Sequence, residues 1–469
     1  MYSWSGLSRS GDGVGKTLLM ASTALVLIAA NSGHARAQAS PQEMQNKIDR
    51  LEQELQNMKG QLQGVVQQQQ KQETAAASSP GVKVSTGGGL KIESADGNFV
   101  GQLGGRMLLD TAFYQQDKTR LGDGSEFRSV RLDASGKVYR DWIFKVQADF
   151  GGNATALKDT YLGYTGIKPA EFVVGNFLPP IGLDLMTSNK YTTFMEPALP
   201  LLTIPDRRIG AQATARGSNW TATAAAFSSN ISSTDATRNN GDSGYDLAAR
   251  VTYAPILQKD RLVHLGFGVN KLDPQSDGTL TIGPRPESHV TNASLISTGA
   301  LANVDDAVTL EPEIAAVFGP FHAEGEYQRL KISRGNVSDD LTFNGWYVSA
   351  GFFLTGESRP YQLNDQPYSA DFGRVQPKRS LMEGGIGAWE IAARYSALNL
   401  TDGSVRGGGE KDITIGLNWY ATSNVRFMLN YIKVNTDSDA NGSAPLLPGE
   451  TTHGHDDPSI VQARAQVDF

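Results

Sequence analysis

Cationic side chains recur at the polar positions of short alternating stretches. Lys145 lies between Phe144 and Val146, and Arg394 between Ala393 and Tyr395. Arg250, Arg426 and Arg464 take the same phase in AARVTY, VRFML and QARAQ. A guanidinium is a planar fork that bonds two oxygens of an oxyanion at once, whereas an ammonium is a compact point charge. Facing a narrow wet space, such groups replace the water that an anion sheds on entering. Asp110, Asp149, Glu324, Glu326 and Glu390 share the phase, so the balance of the two signs sets the preference. This is the chemistry of electrostatic selection. No serine–histidine–acid signature or paired-carboxylate motif stands out beside it.

Other constellations are weaker. Asp437, Asp439, Asn441 and Gly442 give D-x-D-x-N-G, the opening of a calcium loop, but Pro448 stands where its bidentate Glu belongs. A weak calcium site and a solvated loop both stay open there. His453 and His455 precede Asp456 and Asp457, a spacing common by chance in glycine-containing loops. GDGVGKT at Gly11–Thr17 imitates a phosphate-binding loop, yet Ser10 replaces the leading glycine. The chain has no cysteine, so disulfides and thiolate chemistry are excluded. No cofactor is implied.

Strands must position the charges. The closing stretch IVQARAQVDF places Val461, Ala463, Ala465, Val467 and Phe469 on one face, with Gln462, Arg464, Gln466 and Asp468 on the other. Period-two alternation is the signature of a β-strand. It begins near Leu90 and predicts strands at 98–115, 126–138, 141–151, 157–165, 170–177, 208–216, 219–228 and 243–255. Further strands are expected at 260–271, 305–318, 320–332, 343–355, 387–397, 410–421, 424–435 and 459–469. Sixteen is an even number and puts both ends of the sheet on one side. Tight turns at Arg140-Asp141, Gly217-Ser218 and Gly319-Pro320 alternate with long connections at 178–207, 271–304 and 435–459, as in membrane barrels. The connection 356–386 breaks the rule: either it is an insertion on the short-turn side, or the count is off by a pair.

After the amino-terminal segment no apolar run approaches the roughly 18 residues of a membrane helix. A spanning protein of this composition must therefore be a closed barrel. The formal net charge of −7 argues against a nucleic-acid partner. Thr17–Ala30 is apolar, follows Arg9 and Lys16, and precedes Ala35, Ala37 and Ala39; residues 1–37 read as a signal peptide, with cleavage after Ala39 as the alternative. Over 41–72, Ile48, Leu55 and Leu62 alternate with Leu51, Met58 and Val65 as the a and d positions of a coiled coil. A helix packed on its own barrel is the other reading of that stripe. Residues 73–89 read as a flexible linker and 90–469 as the barrel. The fold expected is all-β: a 16-stranded antiparallel transmembrane β-barrel with an N-terminal α-helical coiled coil.

Several runs resemble the phosphate- and polyphosphate-selective porins of Gram-negative outer membranes. They include QLGGRMLLDTAFY (102–114), EFRSVRLDASGKVYRDW (126–142), LKDTYLGYTG (157–166), GLDLMTSNKYTTFMEPALP (182–200) and PDRRIGAQA (205–213). FFLTGESRPYQ (352–362), WEIAARYSALNL (389–400) and LNWYATSNVRFMLNYIKV (417–434) follow in order. The resemblance implies a homotrimer in outer-membrane lipid, inorganic phosphate or other small anions as solute, and a third external loop folded into the lumen. The strand count independently puts that loop at 178–207. Carried over by position, Arg106 and Arg128 match the family's column of pore arginines, Lys190 its inserted loop, and Lys271 with Arg285 its fifth loop. Arg128 and Arg131 share a strand but not a face, so one sits near the rim or a bulge intervenes; Arg131 is favoured as lumenal, with Ser129 and Asp133. Arg464 is expected in the lumen beside Arg106, and Phe469 as the recognition end for the barrel-assembly machinery. Ser129, Asn176, Leu185, Pro197 and Gln102 replace basic residues of the pattern, which keeps a general or weakly selective porin in view. A structural protein tethering the outer membrane through its coiled coil is the reading from another class.

Overall fold

The computed structural model describes residues 41–78, 81–86, 89–228, 244–274, 278–335, 339–363 and 367–469. The expected signal peptide lies outside the described residues. Two units separate, Met1–Ser79 and Pro80–Phe469. Among the described residues of the first, one helix, α1 (Pro41–Ser78), spans 38 residues and runs past the expected limit of 72. Gln, Glu, Lys, Leu and Met, all good helix formers, dominate it. Proline at its first position needs no hydrogen-bond partner for a missing N–H. Its a and d side chains, from Met44 to Val65, are all exposed. No described helix is long and apolar enough to cross a membrane.

In the second unit the strands are β1 (Val82–Ser85), β2 (Leu90–Ser94), β3 (Phe99–Gln115), β4 (Gly124–Val138), β5 (Trp142–Asp149), β6 (Ala156–Tyr164), β7 (Ala170–Phe177) and β8 (Arg208–Arg216). They continue as β9 (Trp220–Phe227), β10 (Asp246–Gln258), β11 (Arg261–Leu272), β12 (Leu280–Thr281), β13 (Ala300–Leu301), β14 (Val304–Phe318), β15 (Phe321–Arg334) and β16 (Leu341–Phe353). The last are β17 (Tyr361–Gln362), β18 (Asp371–Phe372), β19 (Ala388–Asp402), β20 (Val405–Tyr420), β21 (Val425–Thr436) and β22 (Ser459–Asp468). Eighteen strands share one antiparallel sheet, while β12–β13 and β17–β18 are separate small ribbons. Within the large sheet β1 and β2 form a hairpin appended to β3 through Leu90↔Leu103, and the other sixteen close on themselves. Strand β22 seals the barrel against β3, from Ser459↔Gln115 to Asp468↔Arg106. Phe469 extends the seam by exchanging two backbone hydrogen bonds of 3.0 Å with Gly105.

The expected strands recur within a few residues. The stretch 73–89 does not behave as a bare linker, because it carries the end of α1 and strand β1. Phe353 of β16 pairs directly with Glu390 of β19, so the strand count holds and 354–387 is an insertion. Period two separates the faces. Outward side chains such as Trp346, Val348, Phe352, Ile391 and Leu417 are apolar yet exposed, whereas inward Glu324, Glu326, Glu390 and Arg394 are buried. An apolar exterior around a charged interior is the arrangement of a barrel in lipid. Near the end that holds the start of β3 and the end of β22, Trp389, Trp419 and Phe427 stack at 5.5 and 5.4 Å on the outer face.

Among the described residues three insertions occupy the interior. Residues 178–207 and 278–303 enter from the end opposite the start of β3 and the end of β22, and 354–363 with 367–387 enter from the other. Leu199 of the first packs with Ile296 of the second and with Phe343 and Leu398 of the wall. Leu201 packs with Tyr347.

Candidate functional site

Residues 178–207 are fastened to the wall largely by their backbone. Gly182 has φ 78, and a Cβ there would stand 2.9 Å from Glu311 Oε1 and 3.0 Å from Glu326 Oε2. Glycine at this bend therefore lets the chain press against two carboxylates. The short helix α2 (Leu183–Met186) follows, with the amides of Leu183 and Asp184 donating to Glu326 at 3.0 and 2.9 Å. Farther along, four closely spaced carbonyls accept from wall side chains. Arg426 reaches Thr192 O (2.7 Å), Asn418 Thr193 O (2.8 Å), Arg464 Met195 O (2.6 Å) and Arg394 Glu196 O (3.0 Å).

The third insertion is held in the same manner. Arg250 donates to Ser369 O and Ala370 O at 2.7 and 3.1 Å, and Gln212 to Pro367 O at 2.6 Å. Tyr368 Oη donates to Asp159 at 2.7 Å, and Arg359 pairs with Glu324 at 3.1 Å. The Phe372 amide donates to Thr187 Oγ1 at 3.2 Å, so the two insertions meet inside the barrel.

Beside this junction lies a cavity of about 590 Å³. Seven cations line it: Arg106, Arg128, Arg131, Lys145, Lys158, Lys190 and Arg207. Five carboxylates face them, those of Asp133, Asp159, Asp184, Glu196 and Asp206, which leaves an excess of positive charge. Two bulges set which charges line it, and the first adds to the positive excess. Leu108 pairs with Ser129 and Leu109 with Phe127, so Arg128 is an extra residue in β4 and turns inward along with Arg131. Val146 pairs with Thr160 and Ala148 with Leu157, so Lys158 and Asp159 together oppose Gln147.

Most of these cations already hold a carboxylate. Arg128 forms a fork with Glu196 (2.9 and 3.1 Å), and Arg131 bonds Asp149 (2.6 Å). Arg207 and Lys145 share Asp159 at 2.6 and 3.6 Å, and Lys158 meets Asp206 at 3.4 Å. Arg106 differs. Its guanidinium reaches only hydroxyls, Ser129 Oγ at 3.4 Å and Ser188 Oγ at 3.3 Å. Lys190 likewise has no carboxylate partner among the described residues, and its ammonium lies 5.4 Å from the Tyr191 ring centroid.

Two groups on the first insertion are drawn toward neutrality. Burial draws the Lys190 ammonium down to about 8, with Arg106 and Arg374 working in the same direction against Asp468. Burial, followed by the nearby Glu324, pushes Asp184 up to about 7. For Glu196 burial is outweighed by Arg128 and Arg464, and the carboxyl falls to about 2. Raising the pH from 6 to 9 thus ionises Asp184 and neutralises Lys190, and both changes make the cavity less positive. Anion preference, read as the reversal potential in a salt gradient, is expected to decline steadily across that window. A flat profile would deny both groups a place at the conducting path.

Four of the other arginines expected in the pore are clamps. Arg464 stands opposite Asp110 in register, rather than beside Arg106, and bonds Asp110 twice at 2.7 Å and Glu196 at 2.8 Å. Arg394 pairs with Glu287 at 2.5 Å, Arg250 with Glu313 at 2.6 Å, and Arg426 bonds Gln466 at 3.0 Å. Arg285 bonds His289 O and Asn292 within its own loop and does not line the cavity. Lys158 and Arg207 line it although the alternation pattern did not single them out. Asp437, Asp439 and Asn441 form no cage. Asp437 accepts the Asp439 amide, and Asp439 pairs with Arg406. No group of three or more metal-ligating side chains occurs among the described residues.

Residues 102–469 match the family described as phosphate-selective porin O and P. The chain belongs to that family. It is 30% identical over 411 residues to an uncharacterised protein of Caulobacter vibrioides, covering 84% of this chain and 78% of that one. It is 27% identical to porin O of Pseudomonas aeruginosa over 409 residues, covering 79% of this chain and 91% of porin O. Among solved structures it is similar to the outer-membrane protein OmpT of Vibrio cholerae, with a TM-score of 0.48 and 12% identity over 79% of this chain and 99% of OmpT. The outer-membrane channel DcaP of Acinetobacter baumannii gives 0.47 and 12%, over 80% of this chain and 99% of DcaP. This porin is an outer-membrane channel. Its short turns, with the start of β3 and the end of β22, accordingly mark the periplasmic end.

Proposed function

We propose that this porin conducts small anions and holds a phosphate-like oxyanion in passing between Arg106 and Lys190. One observation carries the reading: these two cations of the constriction have no carboxylate partner among the described residues. The guanidinium offers a fork, the ammonium a mobile point charge, and Ser129 and Ser188 add hydroxyls beside them. Their charge replaces part of the water that the anion gives up. A weakly selective pore is the second reading. It is favoured by the five lining cations already neutralised by carboxylates.

Planar-bilayer recording separates the two. Micromolar to millimolar phosphate is expected to block chloride current, and the block is expected to weaken in Lys190→Gln. Equal conductance of chloride and phosphate with no block would leave only the second reading. The porin acts as a homotrimer in this proposal. The exposed stripe of Ile48, Leu51, Leu55, Met58 and Leu62 on α1 supports it, because such a seam is stable in water only against other copies. Phe469, half exposed beyond the seam, is the expected contact for the barrel-assembly machinery.

A further inference from the structure

The insertion 354–387 does not end in the lumen. Its last residues turn outward over the periplasmic rim and fold tightly there. Ser380 and Glu383 form a reciprocal capping box around Leu381–Glu383, and Gly384 closes the turn with φ 71. The Leu381 amide donates to Ala421 O at 3.0 Å and the Gly387 amide to Arg379 O at 3.1 Å. The indole N–H groups of Trp389 and Trp419, both on the outer face, donate to the one carbonyl of Ile386 at 3.2 and 2.9 Å. The segment is therefore fixed against the aromatic end of the lipid-facing surface. Even so, Met382 is 86% exposed, Ile386 67% and Leu381 45%. Lys378 and Arg379 stand exposed just before them.

We propose that Lys378–Gly387 is a lipid-binding foot seated in the periplasmic leaflet of the outer membrane. Leu381, Met382 and Ile386 enter the boundary between headgroups and acyl chains, and Lys378 and Arg379 meet phospholipid phosphates. Three observations select lipid as the occupant. The apolar side chains continue the outward surface of Trp389, Trp419 and Phe427, whose stacked rings mark the interfacial belt. Cations flanking a short apolar turn are the composition of a segment lying in an interface. The turn is rigid through its cap and two indole bonds, so little order has to be gained on insertion. The inference rests on the barrel's place in the outer membrane and is independent of which anion the pore admits.

The natural absence of cysteine permits a direct test. Full-length Met382→Cys carries a nitroxide and is reconstituted in phosphatidylethanolamine vesicles containing phosphatidylglycerol. Collisions with oxygen are expected to exceed those with a water-soluble nickel chelate. The order is expected to be reversed at a Ser404→Cys control, which lies exposed at the opposite end of the barrel. A label at 382 that matches the Ser404 profile would overturn the proposal. So would a label shielded from both reagents, which would mean that another protein copy covers the foot. Ile386→Cys provides a second site should Met382→Cys fail to give the heat-modifiable folded band.

Discussion

Replacing Arg464 with methionine is expected to loosen the constriction more than any other single change in the lumen. This side chain is fully buried, and its guanidinium makes four hydrogen bonds, to Asp110, Glu196 and the Met195 carbonyl together. Methionine keeps much of the volume and removes every donor. Asp110 is then a buried carboxylate without its cation, and Glu196 keeps only Arg128. Breaking one side of a buried ion pair costs roughly 3–5 kcal/mol. The β22–β3 backbone ladder is untouched, so the barrel should still close while residues 178–207 come away from the wall. Single-channel conductance is expected to rise, with a noisier open level, and the urea midpoint to fall. Adding Asp110→Asn should restore part of the stability, since it removes the stranded charge; a double-mutant cycle reads that coupling. Wild-type conductance and stability in Arg464→Met would reject the clamp.

The second large effect is expected from Arg106→Ala, and on function alone. Arg106 bonds two serine hydroxyls and no carboxylate, so its loss strands no charge. Hydrogen bonds from a charged donor contribute roughly 1.5–3 kcal/mol. Phosphate block of chloride current is therefore expected to weaken by about ten- to a hundredfold, at about 1.4 kcal/mol per factor of ten. Reversal potentials should move toward zero and the folded band should persist. A fall in stability with phosphate block intact would instead make Arg106 a structural residue.

The wall was legible because period two is a local property. Alternation placed Glu390, Arg394 and Arg464 on the inner face without any knowledge of their partners, and the strand count followed from the same signal. What alternation cannot express is who meets whom across the lumen. Arg464 and Glu196 are 268 residues apart, and Arg394 and Glu287 107 apart. No local pattern tells a clamp from a free cation in such pairs. The bulge at Arg128 defeated phase for another reason, since one additional residue reverses the facing of its neighbours. The conflict between Arg128 and Arg131 was visible in the sequence, and the bulge was one of its two solutions. Lys158 escaped notice because its inward turn also depends on a bulge. The long connection 354–387 could be located by counting, but its inward path depends on Arg250, Gln212 and Asp159, none of them near it in the chain.

The clamps have a consequence for how such channels diversify. Arg464, Arg394, Arg426 and Arg250 each grip the insertions at main-chain carbonyls, which every residue type presents alike, and only Glu196 and Glu287 add side-chain carboxylates to the grip of Arg464 and Arg394. Apart from Glu196 and Glu287, the cartridge inside the barrel can therefore change its side chains while the sockets that hold it stay the same. A swap such as Leu185 or Pro197 to a basic residue would add charge to the passage without disturbing one of those sockets. Solute preference and architecture are thus inherited separately, and relatives sharing one scaffold can admit different cargo.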